Sequence, residues 1–375
     1  MGGNVTALNK KDNSEVRAER IDLNAIDRTS FVNKTNELLQ TINKQNNYAL
    51  WAPGVLEKCF NGSTSYVMDQ NILDEVILKH KPIIGDIDVM VPVEVKDSLW
   101  YYLDSIEGQY LGDVQYAGCN KHTIASIGNQ INSVFVFDFD GVKLPIQIDF
   151  EFVDFIDSYP SEWANFSHSS TLTDAKLNIK AVHHKFLIRS LVGGASYRDD
   201  IVISTPKSTH DNITLSKSKD HLYPRMLKFS VDRGIREAYE PLTNDGKNII
   251  IDGKKVYRPL STSESVFVTN VEDIFKLSFQ REPTNNDIEL FNSFVGVVEL
   301  MKKHFNKKQI KDTTDRYIAL LWGFNGQRGQ ELERSDPSSD YSVKESGYTY
   351  YINELNLPDE REQFVSEYYK TYRME

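Results

Sequence analysis

Cysteine is nearly absent: Cys59 and Cys119 are the only two in 375 residues. Two thiols cannot build a disulfide framework or a zinc knuckle, and their scarcity suits a reducing, cytoplasmic setting. Long apolar runs are missing as well. No stretch approaches the roughly 20 apolar residues of a membrane span, and no signal-peptide pattern is visible, so no spanning segment is expected. The third absence is excess positive charge. A net charge of -11 argues against coating nucleic acid by bulk electrostatics and leaves only a local basic cleft for such a partner.

The composition that remains is that of a globular chain, on a length that suits two domains or one large decorated one. The opening MGGNVT matches the short myristoylation pattern, with Gly2 and Thr6 in place. Residues 1–28 are polar and weakly patterned and read as an extended arm. Helical spacing of Phe31, Val32, Leu38, Leu39 and Ile42 predicts a helix from Ser30 to about Asn47, with Ser30 as its cap. A short helix near Gly54–Cys59 then leads to a small-residue turn, Asn61-Gly62-Ser63-Thr64. Asn71 and Asp74 suggest a restart cap, and Pro82 ends that stretch. A β-type run over Asp86–Val91 and a helix near Val95–Ser105 follow, then a strand and loop within Gln109–Ile127.

Ser133–Phe139 and Lys143–Val153 form the clearest hairpin, joined by Asp140-Gly141. That turn also accounts for Asp138 and Asp140, which need no catalytic role. On the second arm, Ile146, Ile148, Phe150 and Phe152 share one face, and Gln147, Asp149 and Glu151 share the other. Thr171–Gly194 reads as one long helix ending in Gly-Gly, with Lys176, Lys180, His184, Lys185 and Arg189 as a basic face. Short β-type runs, including a hairpin at Asp252-Gly253, fill 196–268, where Ser204–Asp220 reads as a polar, basic, mobile loop. Helices are expected over Val271–Gln280, Asn286–His304, Lys308–Trp322 and Asp359–Tyr372, with a polar loop at Gly323–Gly347. The tyrosines of the tail, Tyr348, Tyr350, Tyr351, Tyr368, Tyr369 and Tyr372, read either as amphipathic packing or as a base-stacking platform.

The chemistry concentrates in Asp86 and Asp88. In a strand they point the same way while Ile87, Val89 and Val91 enter the core. Like charges that close are costly unless a cation lies between them, and hard oxygen ligands suit Mg2+. If the Lys143–Val153 arm pairs beside this strand with its polar face the same way up, Asp149 completes a three-carboxylate site. Competing readings are a solvated strand edge for the aspartates, a helix-capping turn for Gly62-Ser63 and a solvated helix face for Lys180, His184 and Lys185.

The series Asn61-Gly62-Ser63, Asp86-Ile87-Asp88 and Asp149 resembles the nucleotidyltransferase superfamily typified by DNA polymerase β, CCA-adding enzymes and antibacterial-toxin type nucleotidyltransferases. The resemblance covers roughly residues 50–155, with a longer connection from Ser63 to Asp86 than the family's usual one. It implies an α+β fold: a nucleotidyltransferase-like mixed or antiparallel sheet with flanking helices over 29–195, a β-insert over 196–268 and a helical C-terminal domain over 269–375. It also implies a chemistry, metal-dependent transfer of a nucleoside monophosphate from an NTP such as ATP to an acceptor hydroxyl. Asp86, Asp88 and Asp149 would hold two Mg2+ ions, Gly62 and Ser63 the triphosphate, and Lys180, His184 and Lys185 would contact triphosphate or acceptor. RNA 3′ ends, small molecules and protein hydroxyls stay open as acceptors, as does the oligomeric state. The alternative is a degenerate member that binds nucleotide or protein without chemistry.

Overall fold

In the computed structural model, the described residues are 6–8, 14–167, 170–217, 224–230, 233–322 and 340–363. The chain is mixed α+β and divides into two compact units, Met1–Ala181 and Val182–Glu375. The division falls at the start of a helix, upstream of the boundary expected at residue 195. The β-rich stretch and the C-terminal helices share one unit.

In the first unit, a five-stranded sheet is built from β5 (Ile87–Pro92), β6 (Tyr110–Leu111), β7 (Val114–Cys119), β8 (Gln130–Phe139) and β9 (Val142–Val153). Its order is β5-β9-β8-β7-β6, with β5 and β9 parallel and the remaining pairs antiparallel. The β8–β9 turn has positive φ at both Asp140 and Gly141, as a two-residue hairpin of matching twist requires. Asp138 Oδ1 accepts the Gly141 amide at 2.7 Å, so this aspartate serves the turn. Ile146, Ile148 and Phe150 are fully buried and gather in one core with helices α1 (Arg28–Gln45) and α4 (Lys96–Ser105). The α1 cap is Asp27, whose side chain accepts from the Ser30 amide, so the helix starts before the expected Ser30.

The N-terminal stretch is more than an arm. β1 (Thr6–Leu8) pairs with β2 (Glu15–Arg17), and β3 (Ile21–Asp22) pairs with β4 (Ile83–Ile84). Ala7 and Ala18 are buried with Ala117 and Val134, and Ile21 and Leu23 join the main core. Alanines packed on a sheet leave no helical or alternating apolar signature, which is why the stretch reads as unpatterned.

Between the turn and β5 lie two short helices, α2 (Thr64–Met68) and α3 (Asp74–His80). Asn71 does not cap α3. Its amide donates to Asp69 Oδ1, and Leu73 holds the cap position. This long connection is fastened by Arg28, whose guanidinium donates to the carbonyls of Val67, Asp69 and Ile72 at 2.6–2.9 Å and pairs with Asp74. Five fixed donors in one plane let a single side chain bind so many loop carbonyls.

Sheet and helix alternate less simply after β9. A small hairpin, β10 (Phe155–Ile156) and β11 (Tyr159–Pro160), precedes α5 (Glu162–Ser167). The expected single helix over Thr171–Gly194 is two: α6 (Leu172–Lys176) and α7 (Ala181–Ala195). Asn178 takes a left-handed conformation between them, one that asparagine tolerates better than most residues.

In the second unit, α7 ends at Ala195, one residue past the Gly-Gly pair expected to close it. A Cβ on Gly194 would lie 1.9 Å from Arg316 Nη2, so this glycine also makes room for a guanidinium. Ile201–Ile203 lies parallel to Lys254–Pro259, which also pairs with Tyr239–Pro241 and Ile250–Ile251. Leu227–Ser230, Gly234–Glu237 and Phe267–Val268 form a second small sheet. The described part of the Ser204–Asp220 stretch is fastened by isolated bridges, Ser204 to Leu215 and Thr209 to Asn212; residues 218–220 lie outside the described residues.

Helices follow at Val271–Phe279, Asn285–Phe291, Phe294–His304, Lys307–Trp322 and Asp340–Glu354. The expected Asn286–His304 helix is broken at Ser293, whose side chain caps the following segment. Asp340–Glu354 is helical where part of a loop was expected, and residues 323–339 lie outside the described residues. Tyr348 and Tyr351 are buried, Tyr351 against Tyr317, which favours packing over a stacking platform. Tyr368, Tyr369 and Tyr372, with the end of the expected Asp359–Tyr372 helix, lie outside the described residues. Among the described residues, no helix is long and apolar enough to cross a membrane.

Candidate metal centre

The parallel register sets Asp88 opposite Asp149. Asp86 stands just before β5, and the carboxylates of Asp86, Asp88 and Asp149 each bring an oxygen within 4.8 Å of the others. Asp86 and Asp149 are buried and Asp88 is half-buried. The alternation read on the Lys143–Val153 arm places Asp149 on the polar face, and the pairing of that arm beside β5 supplies the proximity.

Such closeness makes ionisation difficult. Burial lifts the Asp149 carboxyl to about 7, with Asp86 adding to the effect while hydrogen bonds from Asn132 and Gln147 oppose it. Gln147 Nε2 donates to Asp149 Oδ1 at 2.8 Å. Burial also lifts Asp88 well above the usual carboxylate range, reinforced by Asp86, Glu151 and Asp149. Asp86 is raised by burial and by Glu151, against the pull of Lys81 and Lys180. Its Oδ2 is buried without a hydrogen-bond partner. An all-carboxylate donor set with an orphaned buried oxygen fits a hard divalent cation, because a cation satisfies those lone pairs and offsets the repulsion at once.

The Asn61–Thr64 turn lies directly against this cluster. Phe60 bridges to Val89, the Asn61 amide donates to the Asp88 carbonyl at 3.1 Å, and the Met90 amide donates to Cys59. Thr64 Oγ1 accepts from the Asp88 amide at 3.0 Å and donates to the Asp86 carbonyl at 3.3 Å. Gly62 has φ +55°, and a Cβ there would lie 2.5 Å from Asp88 Oδ2. Only glycine accepts both the conformation and the approach. Ser63 occupies the cap position of α2 but makes no side-chain capping bond, so the simple capping reading of this turn is not what the structure displays.

The predicted cations separate. Lys180 lies in the break before α7, exposed and within electrostatic reach of Asp86. His184 and Lys185 belong to the second unit, where His184 is buried with its Nε2 2.8 Å from the Phe291 carbonyl oxygen and Lys185 is half-buried. The expectation that all three share one exposed helix face is therefore corrected: Asn178 breaks the helix, and the register of α7 turns His184 inward. Sequence reasoning missed Lys81, whose ammonium is made more acidic by burial and by Lys180 and Arg20, with Asp86 opposing. Asn61 and Thr64 were visible only as turn residues, and Glu151 only as a neighbour of Asp149 on its face. The chain matches no protein-family model, no curated protein and no solved structure.

Proposed function

We propose that the first unit is a nucleotidyltransferase-type catalytic domain that moves a nucleoside monophosphate from an NTP to an acceptor hydroxyl. The observation that carries this reading is the meeting of Asp86, Asp88 and Asp149 beneath a positive-φ glycine turn. In this reading the three carboxylates hold Mg2+. The bound ions supply positive charge to the attacking and leaving oxygens at phosphorus.

The chain's own residues do the rest. Gly62 admits the triphosphate close to the backbone, and the Ser63 hydroxyl binds a phosphate oxygen. Lys81 and Lys180, both within electrostatic reach of Asp86, offset the charge of the triphosphate and departing pyrophosphate. Gln147 fixes one oxygen of Asp149, orienting the carboxylate that takes the acceptor's proton. The acceptor oxygen bonds to the α-phosphorus as the bond to pyrophosphate breaks.

The test incubates the full chain with each α-labelled NTP, Mg2+ and a panel of acceptors: RNA 3′ ends, small hydroxyl compounds and the protein itself. Label transfer is expected from the wild type and not from Asp88→Ala. Equal transfer by both would sink the proposal, and nucleotide binding without transfer would favour a degenerate binding module.

A further inference from the structure

Glu151 is a fourth acidic residue beside the centre, yet it is not one of the three whose oxygens meet within 4.8 Å. It lies two residues beyond Asp149 on β9, so its side chain leaves the same face. Its Oε2 accepts a hydrogen bond from Asn61 Nδ2 at 2.9 Å. The same Asn61 amide group uses Oδ1 to accept the Gly62 N–H at 2.7 Å. The Asn61 backbone N–H donates to the Asp88 carbonyl, and its carbonyl accepts from the Ser65 N–H at 3.2 Å. One residue therefore ties the turn to β5 through its backbone and to β9 through its side chain, with Gly62 fastened to that same side chain. The pairing requires an amide at 61, a donor toward the carboxylate and an acceptor toward Gly62.

The bond to Asn61 gives this carboxylate a role apart from the three that meet. We infer that Asn61 and Glu151 form a latch in which Glu151, acting through Asn61, holds Gly62 and Ser63 in place over Asp88 without itself ligating metal. Glu151 is in these terms a positioning residue. The kinetic consequence rests on the nucleotidyl-transfer reading; the structural one does not.

The test compares Glu151→Gln, Glu151→Ala, Asn61→Asp and the Asn61→Asp/Glu151→Gln double variant, all in the full chain. Three readouts are taken: amide hydrogen exchange over residues 61–65, Mn2+ binding, and KM and kcat for the NTP. Glu151→Gln keeps an oxygen that accepts from Asn61 and is expected to match the wild type in exchange and in KM. Glu151→Ala frees the turn, with faster exchange and a KM raised about ten- to a hundredfold, the scale of leaving the Asn61 donor without its partner, while Mn2+ binding persists. Asn61→Asp sets two carboxylates face to face and behaves like Glu151→Ala. The double variant recovers, because the glutamine amide now donates to the aspartate. Loss of Mn2+ binding in Glu151→Gln as complete as in Asp149→Asn would make Glu151 a ligand and overturn the latch. Unchanged exchange in Glu151→Ala would overturn it equally. A wild type that transfers no nucleotide would refute the proposed function, while exchange and Mn2+ binding would still decide the latch.

Discussion

Asp88 and Asp149 are register partners on adjacent parallel strands, although the chain passes through β6, β7 and β8 between them. Their carboxylates meet with that of Asp86 in a setting that raises the proton affinity of all three. The site is therefore arranged against the stability of the metal-free chain, and the first two predictions follow from that tension.

Asp149→Asn removes one buried charge and keeps the shape. The metal-free variant is expected to be more stable than the wild type at pH 8 by about 1–3 kcal/mol, the usual scale of relieving a buried like-charge contact. On the proposed function, the same change should lower metal-dependent transfer by about a thousandfold or more, since Asp149 is there proposed as both a ligand and the proton acceptor. Thermal melts in EDTA and a transfer assay check the two signs together.

The pH dependence has a definite direction. The folded chain keeps a proton on Asp149 up to about pH 7, whereas the unfolded chain releases it near pH 4, the ordinary aspartate value. Between those limits the folded state holds more protons, so this group's contribution to stability falls as pH rises through the window and is constant above it. Cation binding displaces the same proton. Apparent Mn2+ affinity should thus rise about tenfold per pH unit for each proton displaced, with the share due to Asp149 ending near pH 7. The stability difference between wild type and Asp149→Asn, measured at pH 5 and pH 8 with and without Mg2+, isolates the effect. A metal-free difference that does not change with pH would contradict it.

Gly62→Ala meets two obstacles. A left-handed conformation costs a side-chain-bearing residue roughly 1–2 kcal/mol, and the added Cβ collides with Asp88 Oδ2. Asp88 must shift its carboxylate to make room, disturbing the cluster it shares with Asp86 and Asp149. The variant is expected to fold, melt a few degrees lower, and show weakened Mn2+ binding along with an activity loss of about a hundredfold. Near-normal Mn2+ binding would show that Asp88 is not tied to the turn as described.

Gly194→Ala tests the second unit with the opposite sign from helix propensity. In an exposed helix interior, alanine in place of glycine stabilises by about 1 kcal/mol. Here the Cβ would lie 1.9 Å from Arg316 Nη2, displacing a guanidinium whose Nε donates to the Ser190 carbonyl at 2.8 Å. Net destabilisation by about 1–3 kcal/mol is expected. The Gly194→Ala/Arg316→Ala double variant should lose little further stability, giving a coupling that a melt series detects.

Local chemistry was the legible part of this sequence. Asp140-Gly141 announced its hairpin because few residue pairs accept two left-handed conformations in a row, and alternation on β9 put Asp149 on the correct face. The pairing of β9 with β5 is long-range, and no local pattern states it; the carboxylates could only be required to meet, not seen to. Asn61 with Glu151 escaped notice for the same reason, as a single hydrogen bond spanning distant parts of the chain. Asn178 hid the break before α7 because the apolar spacing on either side continues in nearly the same phase. Gly193 and Gly194 marked the end of α7 to within one residue, but the second reason for Gly194, a guanidinium from a helix more than a hundred residues away, leaves no local trace.

The strand order bears on how the centre comes into being. β6 to β9 form an antiparallel meander whose neighbours follow one another along the chain, so their pairing closes short loops. The β5–β9 contact spans a much longer one, and closing longer loops costs more chain entropy. The repelling carboxylates are thus brought together by the least local join of the sheet, the one whose closure costs the most chain entropy. Such a join is expected to form after the meander, so Ile87→Ala, which weakens it from the β5 side, should speed unfolding while leaving the folding rate nearly unchanged.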